Sequence, residues 1–288
     1  MAFLPVVLAG GRGSRLWPLS TPENPKQFLT LFGGRSLFQE TLARLDGMDA
    51  ADAIVICGKE HRLVAAEQAR RIGCVHATFV IEPFGRNTAP AAALAALLVA
   101  RERPDTALLI LPSDHLIADA ARFHKAIATA APLAADGGIV AFGIPPDRAE
   151  AGYGYIRRGR PLSGGAAFAI DGFVEKPDVA TARRLLDEGG HDWNSGMFMV
   201  RADRYIDELH RHRPDILDAC LRTTASARPA AGFVDMDPSA FETCAAVSID
   251  HAIMEKTDAG AVVPLDAGWD DLGSWPSLLR ALPTPSKP

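Results

Sequence analysis

Short runs of β-branched and apolar residues alternate with stretches of helical length through the first half of this chain, and that alternation most constrains its fold. Residues 4–8, 53–57, 78–81, 107–111 and 139–142 have the length and composition of strands buried on both faces. Residues 36–45, 60–72, 88–101 and 120–134 lie between them with the periodicity of crossover helices. The repetition predicts an α/β fold: a mostly parallel, Rossmann-like sheet with helices on both faces. Sheets of this kind bind ligands beyond the C-terminal ends of their strands, so chemistry is sought there.

Past Pro145 the pattern loosens. Residues 153–157, 166–174 and 196–200 read as strands, 179–188 as a helix, and 261–265 as a late strand. Residues 205–225 read as one helix that Pro214 should break or kink, followed by a loop over 226–232. The tail 283–288 holds three prolines in six residues and is expected to fray.

Charge narrows the classes of partner. The chain carries 30 Lys and Arg against 35 Asp and Glu, a net charge of −5, so nothing general draws it to nucleic acid or to an anionic membrane. Any polyanion must be held by local positive groups. The longest apolar run, 89–100, contains Pro90 and falls short of the roughly 18 residues a membrane span needs. No basic region precedes the N-terminal apolar stretch and no small-residue cleavage site follows it, which predicts a cytoplasmic protein. Cys57, Cys74, Cys220 and Cys244 have neither disulfide-framework nor zinc-site spacing, so free buried thiols are expected.

Five segments at strand ends carry candidate chemistry. LAGGRGSRLWPLS runs from a buried strand into Gly10, Gly11, Gly13 and Arg15, with Lys26 following in NPKQFL. Glycines let backbone N–H groups surround phosphate oxygens, and Arg15 and Lys26 add mobile positive charge. The spacing fits neither a P-loop nor a dinucleotide fingerprint. LLILPSDHLI delivers Asp114 to a sheet edge, where a carboxylate suits Mg²⁺; DAGWDDLGSW offers Asp270 or Asp271 as its partner. Each Asp alone also fits a turn or cap. His115 reads as packed or capping.

In GFVEKP, Glu175 and Lys176 end a strand. As neighbours on a strand they should point opposite ways and serve different parts of a ligand unless a turn intervenes. Asn194 in DWNSGMFMV stands just before a strand, with an amide able to donate and accept, while Trp193 and Phe198 read as core. In IEPFGRNTAPA a strand leads to a helix capped by Asn87 or Thr88. Glu82 there could accept from N1–H and the exocyclic amine of guanine.

Seven segments in order, GGRGSRLWPLS, PKQF, EPFGRNTAPA, PSDH, FVEKP, WNSGMF and GWDDLGSW, resemble the nucleotidyltransferases that make nucleoside diphosphate sugars, and most closely their mannose-1-phosphate guanylyltransferase branch. The likeness runs from Val6 to about Leu279, with Ser14 where Thr is expected. It implies one nucleotidyltransferase domain over 1–282, with a nucleotide-binding half to about 145 and a sugar-binding half from 146. It also implies GTP and mannose 1-phosphate as substrates, GDP-mannose and pyrophosphate as products, and Mg²⁺ as cofactor. Gly10, Gly11 and Gly13 would then cradle the triphosphate, and Arg15 and Lys26 would meet its charge. Asp114 and Asp271 would hold Mg²⁺, Glu82 and Asn87 would read guanine, and Gly154, Glu175, Lys176 and Asn194 would hold the sugar phosphate. Members often continue into a cupin or β-helical domain, which this length does not accommodate, so isomerase activity is not expected; homodimer formation is left open.

Overall fold

The computed structural model describes residues 2–11 and 16–282. Gly13 and Arg15 lie outside them. The first half contains β1 (Leu4–Leu8), α1 (Leu37–Ala43), β2 (Ile54–Gly58), α2 (Arg62–Arg71), β3 (Thr78–Glu82), α3 (Thr88–Ala100), β4 (Ala107–Pro112), β5 (Leu116–Ile117), α4 (Ala120–Ala135) and β6 (Ile139–Ile144). Then come β7 (Tyr155–Leu162), β8 (Ala167–Val174), α5 (Val179–Glu188), β9 (His191–Arg201), α6 (Ala202–His212) and α7 (Pro214–Ala225). The remainder is β10 (Arg228–Ala230), β11 (Phe233–Asp235), a π-helical turn (Asp250–Met254), β12 (Gly260–Pro264), β13 (Trp269–Asp270) and α8 (Trp275–Ala281).

Eleven strands form one sheet in the order β10-β11-β3-β2-β1-β4-β9-β6-β12-β8-β7, while β13 and β5 pair apart. Strands β11, β3, β2, β1 and β4 are parallel neighbours, as are β6 and β12. Strand β9 runs antiparallel between β4 and β6. The chain moves outward from β1 through β2 to β3, then returns to lay β4 on the other side of β1. The C-terminal ends of β1 and β4 therefore flank a topological switch point, where such sheets leave a crevice.

Alternation along the central strands decides what packs where. Leu4, Val6, Leu108 and Ile110 face the layer of α3, α6 and α7, whereas Val7 faces the cluster containing Phe38, Ala65 and Ala69 of α1 and α2, and Leu109 faces the one containing Phe123 and Ile127 of α4. Helix α3 is apolar all round, with the run Ala89–Leu97 buried, because it is enclosed by the sheet on one side and α6 and α7 on the other. Alanine at most of these positions leaves room for that approach. Side-chain oxygens of Ser36, Asp119 and Asp178 accept from backbone N–H groups at the starts of α1, α4 and α5.

Several sequence expectations change here. Residues 205–225 are two helices, since Pro214 lacks an N–H and takes the first position of α7. The expected loop 226–232 contains β10, which pairs antiparallel with β11. Strand β9 begins at His191, five residues before the expected start, so Asn194 stands within a strand rather than before one. Cys57, Cys220 and Cys244 are buried free thiols, whereas Cys74 is half-buried.

Candidate active site

A cleft of about 660 Å³ opens at the switch point. Leu8, Ile56, Glu82 and Pro112 line it from the C-terminal ends of β1 to β4, joined by Gly10, Gly11, Asp114, Asn87 and Thr88. Five of the expected site residues thus meet in one cavity: Gly10, Gly11, Glu82, Asn87 and Asp114.

Each is placed by local chemistry. Glu82 is the last residue of β3 and only 5% exposed. Its Oε1 accepts from the backbone N–H of Arg86 at 3.1 Å, and burial, only partly offset by Arg86, lifts its pKa to about 7. A Cβ on Gly10 would lie 3.1 Å from Glu82 Oε2, so a side chain there would press on that carboxyl. Asn87 takes φ +67° and caps α3, its side chain accepting from the Thr88 N–H at 2.8 Å. With ψ −172°, that backbone lies in a region almost confined to glycine, so the position is strained.

Lys26 forms the second part of the site. Its ammonium is buried, 2.8 Å from Asp114 Oδ2, and donates to the carbonyls of Asp271 at 2.5 Å and Leu272 at 3.3 Å. The expectation of a mobile charge is corrected: Lys26 is held in place by a carboxylate and two carbonyls. Its neighbour Gln27 donates to the carbonyls of Ala9 and Gly11, tying the glycine segment to the same turn. Asp271 Oδ1 accepts from the Tyr153 hydroxyl at 2.8 Å and from the Gly273 N–H at 2.9 Å. Burial and Asp271 push the Tyr153 phenol upward, so it stays a donor. Asp270 instead accepts from the Leu272 N–H and faces Arg280. Of the two neighbouring acids, Asp271 is the one joined to Lys26 and Tyr153.

No cluster of three or more His, Cys, Asp or Glu side chains suited to a metal occurs among the described residues. Asp114 lies against Lys26 and Asp271 against Tyr153, and a magnesium ion that keeps water and phosphate oxygens for its remaining positions asks for only one or two such carboxylates. His115 is packed, as expected: its ring meets Trp269 edge-on and Nδ1 accepts from Trp269 Nε1 at 3.1 Å. Burial lowers its pKa to about 4 and keeps it neutral.

The third part lies beyond Tyr153. The carbonyl of Gly154 accepts from the Asn194 N–H at 2.8 Å, and a Cβ on Gly154 would fall 2.5 Å from Glu175 Oε2. Gly154, Glu175 and Asn194 therefore converge as expected, and a side chain at 154 would require the Glu175 carboxylate to shift. For Glu175 and Lys176 the turn that the expectation allowed for is present, and they pair. Strand β8 stops at Val174, Lys176 turns to φ +44°, and its ammonium pairs with Glu175 Oε1. Glu175 is enclosed while Lys176 stays at the rim. Trp193 and Phe198 are core, as expected.

Sequence comparison places this geometry. The nucleotidyl transferase profile matches residues 4–286. The chain is 49% identical over 279 residues to mannose-1-phosphate guanylyltransferase of Escherichia coli K12, covering 95% of this chain and 58% of that protein. The chain belongs to the nucleotidyl transferase family. Family likeness extends to solved structures. One is described as mannose-1-phosphate geranyltransferase from Thermus thermophilus, with TM-score 0.83 and 34% identity over 97% of this chain and 78% of that one. Another is described as mannose-6-phosphate isomerase from Helicobacter pylori, with TM-score 0.81 and 30% identity over 94% of this chain and all of that one. The chain thus spans somewhat over half the length of its curated relative.

Sequence reading missed two contributors. Tyr153 lies in a glycine-flanked turn with no motif of its own; its only signal was adjacency to Gly154. Asp250, which accepts from Asn194 Nδ2 at 2.6 Å, sits 56 residues away in a π-helical turn that no periodicity announces.

Proposed function

We propose that this chain transfers GMP from GTP to mannose 1-phosphate, giving GDP-mannose and pyrophosphate. A phosphate oxygen of the sugar phosphate attacks the α-phosphorus in line, the bond to the bridging oxygen breaks, and pyrophosphate leaves. The reading rests on one observation above all: a buried carboxylate, Glu82, faces the same switch-point cleft as Gly10, Gly11 and Asp114. Guanine presents N1–H and an exocyclic amine on one edge, and two carboxylate oxygens accept from both. The names of the curated relatives agree.

Transfer at phosphorus asks for alignment and charge neutralisation. Gly10 and Gly11 admit the triphosphate close to backbone, and Lys26 adds a fixed positive charge beside it. Asp114 and Asp271 would hold magnesium, which supplies charge neutralisation at the phosphate oxygens. Glu175 and Asn194 would face hexose hydroxyls, and Lys176 would leave Glu175 for the phosphate of the sugar. Gly13 and Arg15, outside the described residues, complete the proposed triphosphate loop. Among the described residues no helix is long and apolar enough to cross a membrane.

The test is pyrophosphate release with Mg²⁺, crossing GTP, ITP, ATP, UTP and dTTP with mannose 1-phosphate, glucose 1-phosphate and no sugar. Release with GTP and mannose 1-phosphate is expected, weaker with ITP, which lacks the exocyclic amine. Equal use of ITP and GTP would remove Glu82 from base recognition, and release with another nucleotide alone would overturn the assignment.

A further inference from the structure

Between the nucleotide cleft and the sugar-side cluster runs one short segment, residues 246–250. Ala246 lines the cleft. The Val247 carbonyl accepts from the Ala89 N–H at 3.1 Å, and the Ile249 N–H donates to Thr88 Oγ1 at 2.9 Å, so the segment is hooked onto the first turn of α3. The next residue is Asp250. Its Oδ1 accepts from Asn194 Nδ2 at 2.6 Å, while Asn194 Oδ1 accepts from the Gly196 N–H at 3.1 Å. Both ends of that carboxamide are thereby fixed, and the 9% exposure of Asn194 leaves little water to replace a lost partner. The turn that carries Asp250 is π-helical, an irregularity that recurs at functional sites.

We propose that Asp250 is a positioning residue for the hexose subsite: it sets the Asn194 carboxamide, and through residues 247–249 it makes that setting depend on Thr88 at the nucleotide end of the cleft. This rests on the function proposed above. Asp250 acts through Asn194 and through the hook on α3, so its removal affects the sugar phosphate before it affects the nucleotide.

The experiment is steady-state kinetics at saturating GTP, varying mannose 1-phosphate. Asp250→Ala is expected to raise the KM for the sugar phosphate roughly tenfold, the scale of one orienting hydrogen bond, with the KM for GTP unchanged. Asp250→Asn, whose amide oxygen can still accept from Asn194, restores most of the loss. Thr88→Val keeps the side chain's shape and removes only the oxygen that holds Ile249, and it too should raise the sugar-phosphate KM at saturating GTP. It serves as the test should Asp250→Ala fail to fold.

An unchanged sugar-phosphate KM, or a GTP KM raised equally, overturns the inference while the function stands. If the wild-type chain instead uses another nucleotide and sugar phosphate, the function falls and the same comparison is made with that pair. If it turns over none, mannose 1-phosphate binding is measured by calorimetry, where roughly tenfold weaker binding to Asp250→Ala supports the role and equal binding removes it.

Discussion

Glu82 concentrates the residue-scale physics of this site. A carboxyl with a pKa of about 7 is half protonated at neutral pH, and only its ionised form accepts two hydrogen bonds from a guanine edge. The KM for GTP should therefore rise as pH falls below about 7, approaching tenfold per unit, whereas that for mannose 1-phosphate should change less over the same range. Folding is linked to the same proton. The folded chain keeps it up to about pH 7, whereas a free carboxyl releases it near 4.5, so the folded state binds more protons between those values. Stability accordingly falls as pH rises from about 4.5 to 7 and levels off above, by on the order of 3 kcal/mol for this group. Glu82→Gln keeps the acceptor for the Arg86 N–H and removes the charge. At pH 8 it should raise Tm by roughly 5 °C while narrowing the preference for GTP over ITP, read by calorimetry and pyrophosphate release. Glu82 and Asp114 were legible because each ends an apolar run in a parallel sheet, which fixes both position and neighbourhood. Tyr153 and Asp250 were not, because each acts across more than fifty residues of chain through a contact that leaves no local pattern.

At the scale of elements, the turn holding Lys26 acts as a clasp. One ammonium binds the loop after β4 through Asp114 and the loop after β13 through the carbonyls of Asp271 and Leu272, while Gln27 binds the glycine segment after β1. Replacing the charge with an apolar stem of similar length, Lys26→Met, takes the Lys26 ammonium away from two carbonyls and from the Asp114 carboxylate. Turnover should fall by about 10²–10³, the usual scale for losing one charge-stabilising donor, and stability by about 1–3 kcal/mol, limited because Asp114 is one-third exposed and can take up water. A variant within about threefold of wild type in turnover would reduce the clasp to packing. Gly154→Ala tests a second junction. A methyl group 2.5 Å from Glu175 Oε2 must displace that carboxylate, so the KM for the sugar phosphate should rise at least several-fold with GTP binding intact. The long elements were readable because period and length agree with propensity. The short ones, β5, β10, β11 and β13, hold two or three residues each; β5, β11 and β13 owe their pairing to partners distant in sequence, and β10 pairs only with β11 at the sheet edge. The Glu175 and Lys176 geometry takes the exception left open by the sequence: the strand ends at Val174, and a positive φ at Lys176 redirects that side chain.

In the whole molecule, the first and later halves are continuous in sequence but interleaved in space. Strand β9, from the later half, is inserted antiparallel between β4 and β6 of the first half, and β11 extends the parallel run beyond β3. Helix α3 is likewise covered by α6 and α7 from the later half. Neither half can bury its own side of the sheet when the other is withdrawn: removing β9 exposes the edges of β4 and β6, and removing α6 and α7 exposes the alanine face of α3. Such mutual dependence couples the two into one cooperative unit even though 288 residues exceeds the length at which two-state behaviour is usual. Urea unfolding followed by tryptophan fluorescence and by far-UV circular dichroism should give coincident transitions. The four tryptophans report mainly on the later half and its contact with Tyr153, while the helices are spread through both, so independent halves would separate the two curves. A fluorescence change preceding the dichroism change would mean that β1 to β4 hold together without β9, and the cleft would then belong to a unit that folds by itself. Coincidence would mean that the crevice at the switch point exists only when the strand carrying Asn194 is in place, which ties formation of the proposed nucleotide site to formation of the proposed sugar site within a single folding event.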